Sequence, residues 1–160
     1  MLDNEQFTRL VGRYIDMVFR VALNYVRNIA DAEDITQTVF EKLLREKRSF
    51  DRDDHIRNWL IRVTVNACRD LLKSFFRSRT VSMENVLWAA PSVTAEQYAV
   101  MEAVWSLPKQ YRDVIYLHYY EGYTAPEIAG ILKRNPNTVY THLHKGKQLL
   151  REILGGVTDE

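Results

Sequence analysis

Cysteine occurs once, at Cys68, in a chain of 160 residues. A lone cysteine excludes an internal disulfide and supplies at most one ligand to a zinc site. Its neighbours Ala67 and Leu71 mark it as a small buried residue rather than a redox switch. Glycine (6) and proline (4) are scarce, and alternation of apolar and polar residues is nowhere sustained, which leaves little for hairpins or sheets. No apolar run approaches the length that crosses a bilayer. The acidic start, Met1-Leu2-Asp3-Asn4-Glu5, lacks the basic and apolar parts of a signal peptide, so a cytoplasmic protein without membrane insertion is expected. Net charge is also small, at +1, and by itself announces no nucleic-acid binder.

Distribution says more than the sum. Between Ile56 and Arg79 there are six basic residues and one acid, Asp70. No acid stands between Glu127 and Glu152, a stretch that holds Lys133, Arg134, Lys145, Lys147 and Arg151. Acids gather instead at Asp31, Glu33 and Asp34, and at Asp51, Asp53 and Asp54. Each half of the chain therefore carries one basic stretch.

The pattern predicts helices almost throughout. One bent helix or two cover about Asn4 to Arg27, Asp31 caps a helix over about Ala32 to Glu46, and a long helix runs from about His55 to Arg77. Periodicity weakens between Ser78 and Val93, where at most a helical turn at Met83 to Trp88 is expected. Thr94-Ala95-Glu96-Gln97 has capping-box spacing, Pro108 starts a further helix and Gly122 ends it. Thr124-Ala125-Pro126-Glu127 opens a short helix, and Asn135-Pro136 opens the last one. The fold expected is all-α: two small helical domains, 1–78 and 94–160, joined by a flexible linker at 79–93.

A short helix, a tight turn and a longer basic helix make a helix-turn-helix pattern. In the last helix Val139, Leu143, Gly146, Leu150 and Ile153 recur at helical spacing as a stripe to bury. Gly146 costs helix stability, so close packing is expected there. Thr141, His144, Lys145 and Gln148 lie opposite, flanked by Tyr140, with groups that reach base edges in a major groove. Lys133, Arg134, Asn137, Lys147 and Arg151 suit phosphates, which position a protein without specifying sequence. A solvated basic helix closing an ordinary bundle is the plainer alternative, but the two caps, the turn length and the acid-free stretch all favour DNA.

Leu107-Pro108-Lys109-Gln110-Tyr111-Arg112-Asp113-Val114-Ile115, Tyr119-Tyr120-Glu121-Gly122-Tyr123-Thr124, Glu127-Ile128-Ala129 and Asn137-Thr138-Val139 together resemble region 4 of the sigma-70 family, in the form found in extracytoplasmic-function sigma factors. The resemblance implies recognition of a −35 promoter element, with Tyr140, Thr141, His144 and Lys145 at base-reading positions. Asp31-Ala32-Glu33-Asp34-Ile35-Thr36-Gln37-Thr38-Val39-Phe40 resembles region 2.2 of the same family, which docks on the β′ clamp helices of core RNA polymerase. Ile35, Val39 and Leu43, helped by Phe40 and Leu44, form an apolar stripe, while Asp34, Gln37 and Glu41 share a polar, acidic face suited to a basic partner protein. Without the resemblance that face would be taken for a solvated surface.

The long helix carries a second surface. Ile56, Leu60, Val63, Ala67 and Leu71 form its expected core stripe, and Arg62, Asn66, Arg69, Lys73 and Arg77 form another stripe able to follow one nucleic-acid strand. Asn58-Trp59-Leu60-Ile61-Arg62-Val63-Thr64-Val65-Asn66 resembles regions 2.3 and 2.4, which capture the unstacked −10 element. The loop from Lys47 to Asp54 matches the family's loop that helps hold a flipped base. For Trp59, Phe75 and Phe76 a core role is expected rather than base stacking.

The expected partners are thus core polymerase (β′ clamp helices and β flap), promoter DNA and, as often for factors of this type, an anti-sigma factor. No cofactor and no enzymatic activity are expected. A conventional helix-turn-helix regulator is the main alternative, although it needs no second DNA surface. A metal-dependent nuclease built on Asp51, Asp53, Asp54 and His55 lacks a further placed cluster to complete it.

Overall fold

The computed structural model describes residues 2–47, 50, 52–75 and 95–158. The expected linker at 79–93 lies outside the described residues, as do Asp51, Phe76 and Arg77. The chain divides into two compact units, Met1–Thr80 and Val81–Glu160.

The first unit packs α1 (Asn4–Val26), α2 (Ile29–Arg45) and α3 (Asp53–Phe75) each against the other two. α1 is one continuous helix, opened by a capping box between Asp3 and Gln6 and closed by Arg27 in the left-handed region (φ 55). Tyr14, Met17, Val18, Val21 and Tyr25 give its buried stripe. α2 starts three residues earlier than expected. Asn28, not Asp31, is its cap, accepting from the Asp31 amide at 2.9 Å, and Asp31 sits buried in the first turn.

α3 also departs from expectation. Its buried residues are Ile56, Leu60, Ile61, Thr64, Val65 and Cys68, while Val63, Ala67 and Leu71 are only half-buried. The buried arc is rotated because Thr64 counts as apolar: its hydroxyl donates to the Leu60 carbonyl at 2.6 Å and demands no other partner. Cys68 is fully buried, 4.0 Å from the Ala22 carbonyl, and burial pushes its thiol far above the ordinary range. It is a packing residue with no thiolate to react.

The second unit contains α4 (Ala95–Trp105), α5 (Lys109–Tyr119), α6 (Ala125–Leu132) and α7 (Pro136–Thr158). Thr124 and Glu127 form the expected capping box of α6. Gly122 (φ 79) turns the chain between α5 and α6, where a side chain would be strained. Asn135 accepts from the Asn137 amide at 2.8 Å and starts α7. Val104, Leu107 and Ile115 make a core against which Val100, Tyr111, Leu143, Leu149 and Leu150 pack. Ile153, expected in the stripe, is 38% exposed, beyond the reach of that core.

At Gly146 α7 approaches α5 closely. A Cβ there would stand 2.8 Å from Ile115 Cγ1, 3.1 Å from Cδ1 and 3.3 Å from Tyr111 Cβ. Gly146→Ala gains roughly 1 kcal/mol of helix propensity but overpacks a core, which costs about 1–3 kcal/mol. Ile115 is fully buried and has little room to retreat, so a net loss is expected. Denaturation followed through α7 amide signals should show a lower midpoint, and the loss should shrink in an Ile115→Ala background. An unchanged midpoint would mean that Ile115 rotates away freely.

Candidate nucleic-acid and partner interfaces

In the second unit α6, the turn at 133–135 and α7 place the expected side chains on one surface. Tyr140, Thr141, His144, Lys145, Lys147, Gln148 and Arg151 are exposed along α7, and Lys133 and Asn137 are exposed at its start. Tyr140, at 55%, is the most exposed of the large apolar side chains described. Thr141 donates its hydroxyl to the Asn137 carbonyl at 2.9 Å and keeps its acceptor lone pairs outward. His142, on the same helix, points elsewhere: it is half-buried, edge-on to Tyr111 at 5.4 Å.

Arg134 departs from the expectation of a phosphate contact. Its guanidinium turns back onto α5, where Nη1 meets Asp113 Oδ1 at 3.1 Å and Nη2 meets Oδ2. The Asp113 side chain is 3% exposed and that of Arg134 16%. Only the carboxylate's presence on another helix explains this, and sequence spacing does not reveal it.

Sequence reasoning also missed a shallow cleft of about 360 Å³, in which His118, Tyr119, Thr124 and Pro126 face Tyr140, His144 and Lys147. The His118 Nδ1–H donates to the Tyr123 carbonyl at 2.7 Å, so its other nitrogen is turned away from that bond. Tyr119, 50% exposed at the end of α5, was hidden in sequence because it follows a run of core residues.

In the first unit the α3 stripe is present as far as it is described. Asn66 and Lys73 are exposed, and Arg62 and Arg69 half-buried. Arg69 Nε donates to the Tyr25 hydroxyl at 3.2 Å, which orients its guanidinium. On α2, Asp34, Gln37 and Glu41 are all exposed, with Gln37 Nε2 3.4 Å from Glu41 Oε2. That pair edges a groove between α1 and α2 lined by Phe7, Val11, Ile15, Phe19, Phe40 and Leu44. Leu44, assigned to the buried stripe from sequence, is 42% exposed in this groove.

Of the carboxylates of the nuclease alternative, Asp53 is paired with Arg13 at 2.8 Å and Asp54 with Arg52 at 3.0 Å, both in exposed ion pairs. Among the described residues no group of three or more His, Cys, Asp or Glu is placed to hold a metal ion. Among them, too, no helix is long and apolar enough to cross a membrane.

The chain is thus a helical bundle followed by a separate unit with a helix-turn-helix arrangement. Residues 10–79 match the family model for sigma-70 region 2, and residues 97–150 that for sigma-70 region 4. The chain is 29% identical over 136 residues to the RNA polymerase sigma factor SigV of Bacillus subtilis, covering 83% of this chain and 81% of that one. It is 27% identical over 169 residues to the ECF RNA polymerase sigma factor SigW of the same organism, covering 95% and 90%. Among solved structures, its fold matches the sigma factor RpoE in complex with the anti-sigma factor NepR from Bartonella quintana (TM-score 0.72, 16% identity, 92% and 96% covered). It also matches CnrH in complex with the cytosolic domain of CnrY (TM-score 0.72, 23% identity, 96% and 90% covered). The chain belongs to the sigma-70 family of transcription initiation factors, in its extracytoplasmic-function branch.

Proposed function

We propose that this chain binds core RNA polymerase and directs it to promoters, acting in the cytoplasm as a binding subunit rather than an enzyme. Residues 1–78 dock on the polymerase through Asp34, Gln37 and Glu41 and hold the opened −10 strand through Arg62, Asn66, Arg69, Lys73 and Arg77. Residues 94–160 read the −35 element through Tyr140, Thr141, His144, Lys145 and Gln148, with Lys133, Asn137, Lys147 and Arg151 on phosphates. The observation that supports this is that each of the two helical units carries basic and polar side chains along one helix, exposed on α7 and exposed or half-buried on α3. A regulator that only binds duplex DNA needs one such helix. Because two fold neighbours were solved with anti-sigma factors, an anti-sigma partner belongs to the same proposal.

Transcription with purified core polymerase on a genomic template, with and without the chain, tests it: new start sites are expected only when both are present. Promoter binding independent of polymerase would instead favour a conventional regulator. A promoter-library selection refines the groove assignment. Thr141→Ala and Lys145→Ala should each change base preference upstream, at about 1–3 kcal/mol for a lost base contact. Lys133→Ala should weaken all sequences alike and flatten the salt dependence by about 0.9 in slope, the share of one phosphate. An unchanged upstream motif in the first two variants would place α7 outside the groove.

A further inference from the structure

Three residues, Lys133, Arg134 and Asn135, connect α6 to α7 and set the angle at which α7 starts. Lys133 occupies the left-handed region (φ 56), an unfavourable place for a side-chain-bearing residue. Its amide and that of Arg134 both return to the Ala129 carbonyl, the latter at 3.0 Å, and the Asn135 carbonyl accepts from the Val139 amide at 3.1 Å, so the backbone ties this turn to its two flanking helices, α6 and α7. Lys133 and Asn137 are exposed, and the Asn135 side chain caps α7 by accepting from the Asn137 amide at 2.8 Å, so a side-chain hold on α5 has to come from elsewhere in the turn.

Arg134 supplies that hold. Two of its nitrogens meet both oxygens of Asp113, and Nη1 also lies 3.5 Å from the Gln110 carbonyl. A two-point fork fixes orientation as well as distance, which a single ammonium does not. Asp113 is almost fully buried on α5, and α5 packs against α7. The pair thus ties the turn to the helix that supports the recognition helix.

We propose that Arg134 is a positioning residue for promoter recognition: its ion pair with Asp113 holds the turn so that Lys133 and Asn137 meet the phosphates and α7 enters the groove in register. This rests on the assignment of α7 to DNA. A guanidinium neutralised by a buried carboxylate adds little to phosphate attraction, so the two roles of Arg134 are opposed in their consequences.

The test uses the full chain bound to core polymerase and a duplex carrying the selected upstream element, across a salt series, at a temperature where thermal melts show every variant folded. Arg134→Lys keeps the charge and loses the fork. Asp113→Asn keeps the shape and loses the charge. Each is expected to weaken binding roughly tenfold, the size of a typical coupling between neighbouring elements, with the salt slope unchanged. Lys133→Ala should cost less in the Arg134→Lys background than in the wild type, because its phosphate contact is already misplaced. A phosphate-contacting Arg134 would give the reverse pattern, with Arg134→Lys nearly neutral and Asp113→Asn binding more tightly through a freed guanidinium. Lower melting temperatures with unchanged affinity would reduce the pair to a stabilising contact. Either result overturns the proposal. A wild-type complex with no preference for the upstream element would defeat the DNA assignment of α7 itself, and this proposal with it.

Discussion

Replacing Gln37 and Glu41 together with lysine is expected to reduce competition for core polymerase by about one to two orders of magnitude, while the variant remains folded. Asp34, Gln37 and Glu41 are exposed on one face of α2. Their summed charge is −2 and becomes +1 after the double replacement. A basic docking partner then meets like charge, which costs several kcal/mol at close range, reduced by screening at physiological salt. Neither side chain belongs to the core formed by Ile35, Thr36, Val39, Phe40 and Leu43, so circular dichroism and the melting temperature should stay near wild type. Unaltered competition for core by the folded variant would remove this face from the docking surface. The adjoining groove edged by Gln37 and Glu41, with Ile15 and Leu44 exposed in it, would then be the surface to probe.

Local chemistry was legible where it depends on neighbours in sequence. The capping box at Thr124, the cap at Asn135 and the close approach at Gly146 all follow from residue type at fixed spacing, and all are present. Features that depend on what another helix brings were not legible. The burial of Cys68 was expected, but the core arc of α3 also includes Thr64, which satisfies its hydroxyl within its own helix, so periodicity counted on apolar residues alone misplaced the arc. The start of α2 was misjudged because Asn28 and Asp31 are both good caps, and burial of Asp31 decides between them. Arg134 read as one more basic residue in a basic stretch, and its tie to Asp113 spans 21 positions. The exposed stripe of α7 was legible because a solvated polar face needs no partner to define it, whereas on α3 the half-burial of Arg62 and Arg69, the latter held by the Tyr25 hydroxyl, was not. The roles of both stripes came from the family resemblance, which the matches to regions 2 and 4 support at the level of the family.

The other large effect is expected at strand opening. A duplex hides its base edges, so a factor that opens promoters must hold a separated strand with charge for the backbone and a polar group for a base. On α3, Arg62, Asn66, Arg69 and Lys73 lie along one side, with Asn66 and Lys73 exposed and Arg69 steered by the Tyr25 hydroxyl at 3.2 Å. Asn66→Ala and Arg62→Ala should leave core binding and upstream recognition intact, since neither residue lies on α2 or α7. Each should lower open-complex formation by roughly tenfold or more, the equivalent of about 1–3 kcal/mol for a lost base or strand contact. A template with a pre-melted −10 bubble should restore part of the loss, because opening the pairs no longer draws on the missing contacts. Restoration should be smaller for Asn66→Ala than for Arg62→Ala, since an amide that reads a base is still missed on an open strand whereas a backbone charge is partly replaced by its neighbours. Permanganate reactivity of thymines in the −10 region reports opening directly. Wild-type reactivity in both variants would leave the α3 stripe a solvated surface and assign strand capture to another part of the chain.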